Sequence, residues 1–152
     1  MDIQIRQATI KDAEYLAPRL RGSDKKEVIA TGVSPLDALT ISFIGSDDCF
    51  TGVVDGEIAM LFGAAQGLYD ETASVWALGS DVCNKCPVSM VKFGRRMVQL
   101  FLEKYDMLEN YCDAEYESSL RWLKLIGFTV CPPEVKGVHG EKFCRIYIKK
   151  EA

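Results

Sequence analysis

Ile3 and Ile5 alternate with polar residues in DIQIRQA, and a period of two marks a half-buried strand. The period then lengthens. Ala13, Leu16, Ala17 and Leu20 fall three or four apart behind Thr9 and Asp12, which predicts a helix opened by a capping side chain. Residues 23–31 predict a second, short helix. Ser34, Pro35 and Asp37 combine a capping hydroxyl, a first-turn proline and an early negative charge, and so place another helix start ahead of Leu39, Ile41 and Phe43. After Gly45 the chain becomes strand-like. CFTGVVDGEIAMLFGAA is split by Asp55-Gly56, the dipeptide best suited to a tight hairpin turn.

SVWALGS predicts the next strand. Beyond Pro87, PVSMVKFGRRMVQLFLEKYD carries about five helical turns. Met90, Phe93, Met97, Leu100 and Phe101 form its inward face; Lys92, Arg95 or Arg96, Gln99 and Glu103 form its polar one. NYCDAE reads as a strand and ESSLRWLKLIGF as an amphipathic helix, with Gly127 as left-handed cap and Phe128 as the apolar contact that follows it. Pro132-Pro133 interrupts the chain after a short strand. KFCRIYIKK closes it, with Cys144, Ile146 and Ile148 on one face and Phe143, Arg145 and Tyr147 on the other. The order β α α α β β β α β α β β, without internal repeat or low-complexity linker, predicts one α+β domain over residues 1–152. Its sheet is mixed and largely antiparallel, with helices on both faces.

Composition narrows the class. A chain of 152 residues, 48% hydrophobic and 26% charged, is sized and balanced for a single core. A net charge of -4 argues against a dedicated binder of nucleic acid or anionic membrane. No apolar run approaches the roughly 18 residues of a membrane span. MDIQIRQAT also lacks the basic and apolar regions of a signal peptide, so the expectation is a soluble protein made in a cytoplasm. In such a chain Cys49, Cys83, Cys86, Cys112, Cys131 and Cys144 are expected mostly as free thiols, Cys112 and Cys144 serving as small hydrophobes in strands.

VCNKCP, from Val82 to Pro87, invites a chemical reading, because two thiols at this spacing can grip a metal, form a redox pair or simply sit in a loop. Zinc needs two more ligands, yet there is no second Cys-x-x-Cys and His139 is the only histidine. Thioredoxin-type motifs follow an early strand of a βαβ unit, not a fourth strand after a hairpin. Two reduced loop thiols, and no metal, are the expectation.

With this order of elements, LAPRLR, TGVVDGEIAMLFG, WALGSD and NYCDAEYESSLRWLKLIGF resemble the GNAT superfamily of acetyltransferases, and within it small GNAT-like proteins of tailed phages. That phage family includes an internal virion protein of podoviruses. The resemblance spans about residues 2–148 and is most specific from Asn110 to Phe128. It implies a splay between the fourth and fifth strands, where backbone groups pair with the pantetheine arm of acetyl-CoA. It also implies a loop after the fourth strand that wraps the pyrophosphate at a helix N-terminus. By this resemblance the cofactor cleft lies between SVWALGS and NYCDAE, with Ala77, Leu78, Gly79, Ser80, Lys85, Val88, Ser89 and Lys92 toward acetyl-CoA.

The chain also departs from the superfamily. SDVCNKCPVS stands where a glycine-rich R/Q-x-x-G-x-G/A loop is usual; it has no glycine, and Pro87 removes an amide donor. Lys85 and Lys92 can replace lost amides with charge, or stay solvated. Leu123 occupies the position of the usual acid, a tyrosine four residues before the helix-ending glycine, and cannot donate a proton. Tyr111, Tyr116, Ser119 and its neighbour Ser118 then supply the hydroxyls near the cleft, and Asp113 or Asp81 a base. The alternatives are a strand aromatic, a loop residue, helix caps and turn formers respectively. Trp76, Trp122 and Tyr69 can frame a substrate pocket or belong to the core, and Arg95-Arg96 can bind an anion or form a solvated face. Two functions follow as expectations. One is an acetyl-CoA-dependent N-acetyltransferase acting on a host protein, driven chiefly by positioning. The other is a catalytically inactive module for virion assembly or host binding. Either would reside in the host cytoplasm or the virion, as monomer or homodimer.

Overall fold

The computed structural model describes residues 2–67, 69 and 71–151. Seven strands form one sheet: β1 (Ile3–Gln7), β2 (Asp48–Val54), β3 (Glu57–Gln66), β4 (Thr72–Gly79), β5 (Met107–Asp113), β6 (Thr129–Val135) and β7 (Lys142–Lys149). Their spatial order is β1-β2-β3-β4-β5-β7-β6, and only the β4–β5 pair is parallel. Five helices cover it: α1 (Ile10–Leu16), α2 (Gly22–Ala30), α3 (Pro35–Gly45), α4 (Pro87–Leu102) and α5 (Glu117–Leu125). The α+β architecture expected from the element order is the one observed. Among the described residues no single helix is long and apolar enough to cross a membrane.

Alternation along β3 and β4 divides the core in two. Leu61 and Leu78 face the first three helices, packing with Ala13, Leu16, Val28 and Leu39. Met60 and Phe62 face α4 and α5, packing with Met90, Phe93, Met97, Phe101 and Ile126. Phe62 meets Phe93 edge-on at 5.1 Å between ring centroids. Phe93 lies so close to β2 that a Cβ added at Gly52 would stand 2.0 Å from its ring, so this strand position must be glycine.

Local signals set most boundaries. Asp12 is buried; it receives the Thr9 amide at 2.9 Å, both Arg6 guanidinium nitrogens at 2.7 and 2.9 Å, and the Thr51 hydroxyl at 2.9 Å. One carboxylate therefore caps α1 and ties it to β1 and β2. Burial opposes its charge, yet these donors together hold its pKa at about 2. Ser34 caps α3 by accepting from the Asp37 amide at 3.2 Å, and Asp55 and Gly56 make their turn with φ of 49° and 84°.

Several expectations need correction. The first helix ends at Leu16 and gives way to a 3₁₀ turn, Ala17–Arg19, because Pro18 has no amide to continue it. Leu20 therefore leaves the helix and bridges to Ser80. α4 stops at Leu102, and Leu100 is only half-buried, while Gly94 and Val98 complete the buried face. Pro132-Pro133 does not interrupt β6. The strand runs through both on the sheet edge, where a register shift between Val130 and Pro133 absorbs the missing amides.

Asp12→Asn should lower stability by about 1–3 kcal/mol near neutral pH, since charge-assisted bonds are lost. The folded pKa of Asp12 lies below the ordinary carboxylate value, so its contribution holds above pH 4 and fades as pH falls toward 2. Urea unfolding of both proteins between pH 2 and 7 checks this: the two curves should converge at the acid end. Gly52→Ala should cost about 1–3 kcal/mol through the clash with Phe93, read from the same melts.

Candidate functional site at the parting of β4 and β5

β4 and β5 pair through only three positions, Thr72↔Met107, Ala73↔Leu108 and Ser74↔Glu109. The Asn110 side chain ends the ladder: its amide nitrogen donates to the Val75 carbonyl and its oxygen accepts from the Tyr111 amide. A side chain thus takes the place of the next backbone rung, and the strands diverge.

Alternating peptides of β4 face the gap. Ser80 donates its amide to Ala59 on the β3 side, whereas Gly79 turns both polar groups to the opening. The Gly79 carbonyl accepts from the Arg21 amide at 3.0 Å, and its amide donates to Asp24 Oδ2 at 2.6 Å. Val75 is served by Asn110. Ala77, between them, faces the gap with no partner across it among the described residues. On the other strand the Asp113 amide donates to Glu27 Oε2 at 2.9 Å. Two carboxylates three positions apart on α2 therefore cap the parted ends, Asp24 on β4 and Glu27 on β5.

A cavity of about 220 Å³ occupies the parting, and it is walled from both faces of the sheet. Asp24, Glu27 and Thr31 line it from α2, Ala77 and Leu78 from β4, Tyr111 and Cys112 from β5, and Tyr116, Ser119, Trp122 and Leu123 from α5 and its approach. A second cavity of about 320 Å³ lies against the start of α4, lined by Arg21, Asn84, Pro87, Ser118 and Arg121 among others. Arg21, Met60, Ser119 and Trp122 border both, so the two adjoin.

Charge in the first cavity is shaped by burial. Desolvation raises the Glu27 carboxyl to about 7 against the Asp113 amide that favours its anion, and Asp24 and Asp113 nearby add to the rise. Burial also pushes Asp24 up, opposed by Arg21, whose Nε lies 3.2 Å from Asp24 Oδ2, and by the Gly79 amide. Burial, together with the nearby Asp24 carboxylate, raises the ionisation of the Tyr116 hydroxyl well above the ordinary tyrosine value.

The residues singled out from sequence are distributed unevenly. Tyr111, Tyr116, Ser119, Ala77 and Leu78 meet at the first cavity. Lys136 lies 4.0 Å over the Tyr111 ring. Gly79 is at the gap with its polar groups engaged. Ser80 donates to the Ile58 carbonyl at 3.0 Å and caps the Asp81–Lys85 turn, and Asp113 accepts from the Glu115 amide at 2.9 Å; both lie outside the two cavities as local turn formers. Lys85 and Lys92 are exposed and line neither cavity. Val88 and Ser89 sit in the first turn of α4, where the first intrahelical bond is Met90 to Cys86 and their own amides are spare. Trp76 and Trp122 border the first cavity and donate to Ser46 Oγ and the Met90 carbonyl, each at 2.8 Å. Tyr69 is exposed and borders neither cavity.

Cys83 and Cys86 are buried and donate to the carbonyls of Ala59 and Val82 at 3.1 and 3.4 Å. Burial raises both thiols, Cys83 to about 11. They pack the turn before α4, with the Cys83 sulfur 2.7 Å from where a Cβ on Gly79 would stand. Among the described residues no three His, Cys, Asp or Glu side chains are placed to hold a metal.

Arg21, Asp24 and Glu27 were not anticipated as site residues. A signal exists: Asp24 falls one helical turn before buried Val28, so a carboxylate lies on the apolar stripe of α2.

No family model matches the chain, and no curated protein sequence does. Solved structures do. An acetyltransferase of the GNAT family from Bacillus anthracis superposes with a TM-score of 0.73 at 15% identity, over 98% of this chain and 95% of that one. The aminoglycoside acetyltransferase AAC(6')-Ib, in complex with ribostamycin and coenzyme A, gives 0.74 at 12% identity over 99% and 94%. A spermidine N-acetyltransferase chimera from Vibrio cholerae gives 0.72 at 11% over 98% and 96%. At these identities the likeness is one of fold, and the fold is that of the GNAT acetyltransferases.

The raised Glu27 pKa means that its ionisation weakens the fold. The penalty is absent below its unfolded value, grows as pH rises and is complete above about 7. Glu27→Gln keeps an acceptor for the Asp113 amide. Scanning calorimetry should therefore show this variant melting above the parent at pH 8, with the difference shrinking toward pH 5.

Proposed function

We propose that the chain is an acetyl-CoA-dependent N-acetyltransferase. The observation that carries this reading is the parting of β4 and β5 after three residue pairs, which leaves the Ala77 peptide facing a cavity in a GNAT fold.

The residues fit acetyl-CoA. An unpartnered strand peptide suits an amide of the pantetheine arm, as edge peptides suit added strands generally. Met60, Leu78 and Trp122 give the arm apolar walls. Arg21 and Arg121 border the adjoining cavity, whose rim is the start of α4, and with the spare Val88 and Ser89 amides they suit a diphosphate without a glycine-rich loop. Bound acetyl-CoA would supply an acetyl group already activated as a thioester. What remains for the protein is to orient the amine, exclude water and manage protons. Trp122 and Leu123 make the cavity apolar on the α5 side, and Tyr116 keeps its hydroxyl proton at neutral pH. The resemblance to small phage proteins supports a host protein as acceptor, and the host cytoplasm or virion as the place of action.

A second reading has its own observation. Both polar groups of Gly79 are taken internally, and Leu123 stands where an acid is usual. A GNAT fold closed in this way serves as a binding module on a virion or host protein.

Calorimetric titration with acetyl-CoA separates the two. The enzyme reading expects a micromolar Kd, about -8 kcal/mol, and a loss of tenfold or more in Ala77→Pro, which removes the gap-facing amide. No heat at millimolar acetyl-CoA would leave the binding module.

A further inference from the structure

The structure assigns to Glu27 the role of general base for the acceptor amine: its carboxylate enters the parting of the strands from α2, in the same cavity as the free Ala77 peptide and the Tyr116 hydroxyl. This inference rests on the acetyltransferase reading and adds a residue to it.

Geometry selects Glu27 over the other acids. Asp113 turns its carboxylate to the Glu115 amide and lies outside the cavity. Asp24 is in the cavity, but its Oδ2 receives the Gly79 amide at 2.6 Å and lies 3.2 Å from Arg21 Nε, so its charge is already paired with a cation. Glu27 Oε2 accepts from the Asp113 amide at 2.9 Å, and the Cys112 thiol lies beside the same carboxylate. The titratable groups that act on it most are Asp24 on its own helix and Asp113 and Cys112 on β5, while Arg21, which lines the same cavity, is paired with Asp24. A carboxylate in these surroundings is a better proton acceptor than an ordinary one, and its pKa of about 7 is matched to a base working near neutrality.

An alkylammonium acceptor gives one proton to Glu27 and becomes a free amine. Its nitrogen forms a bond to the acetyl carbonyl carbon, the carbon–sulfur bond breaks, and the sulfur leaves with the electron pair. The second amine proton goes to that sulfur through solvent, and Glu27 returns its own proton to solvent.

The test compares two nucleophiles on the full chain with acetyl-CoA, following released thiol. Propylamine and spermidine are cationic at neutral pH and need a base; hydroxylamine is uncharged there and does not. Glu27→Gln should slow transfer to the alkylamines by about 100-fold relative to transfer to hydroxylamine. In the parent, kcat/KM for alkylamines should fall as pH drops through about 7, and the variant should lose that inflection. Equal slowing of both nucleophiles, or an unchanged alkylamine profile, would show Glu27 to be only a cap on β5 and overturn the assignment. A parent that binds acetyl-CoA but transfers to neither nucleophile also overturns it. Failure to bind acetyl-CoA at all strikes instead at the acetyltransferase reading, and titration before the assay tells these apart.

Discussion

Two parallel strands that separate inside a sheet expose backbone amides and carbonyls that water cannot freely reach, and each must find another partner. In this chain that constraint organises the centre of the molecule. Asn110 substitutes a side-chain amide for the missing rung at Val75, the Arg21 backbone and Asp24 take both groups of Gly79, and Glu27 takes the Asp113 amide. α2 is thus a brace across the opening as much as a layer on the sheet. Among the described residues the gap-facing peptide of β4 that nothing braces is at Ala77, and the cavity lies there.

The brace has an electrostatic consequence. Carboxylates recruited to satisfy strand amides are placed where solvent is scarce, so their charge is disfavoured even while their oxygens are hydrogen-bonded. Asp24 is compensated by Arg21, whereas the charged neighbours that act most on Glu27 are the acids Asp24 and Asp113. The same residue that holds the end of β5 is therefore the one whose proton affinity is tuned toward neutrality. Structural necessity and chemical capacity come together at one side chain.

The cysteine pair shows the opposite case. Its spacing suggests chemistry, but Cys83 and Cys86 are packed beneath the turn before α4, bonded to carbonyls and held protonated by burial. Gly79 has no side chain, and the Cys83 sulfur fills that space. These thiols stabilise the approach to α4, whose spare amides are the part of that segment suited to an anion.

Most of the architecture was legible in the sequence because it rests on local rules. Period-two alternation gave β1 and β7, the Asp55-Gly56 turn joined β2 to β3, Ser34 and Pro35 opened α3, and Gly127 closed α5. The phrases around Asn110–Phe128 carried the resemblance that located the parting. Tertiary structure decided the rest. Whether Lys85 or Arg21 faces the cleft, and whether Asp113 or Glu27 lies in it, depends on how α2 lies over two strands far from it in sequence. No local pattern encodes that packing. A carboxylate on an apolar helix stripe announces a buried partner, but only the folded sheet shows that the partner is an unpaired strand amide.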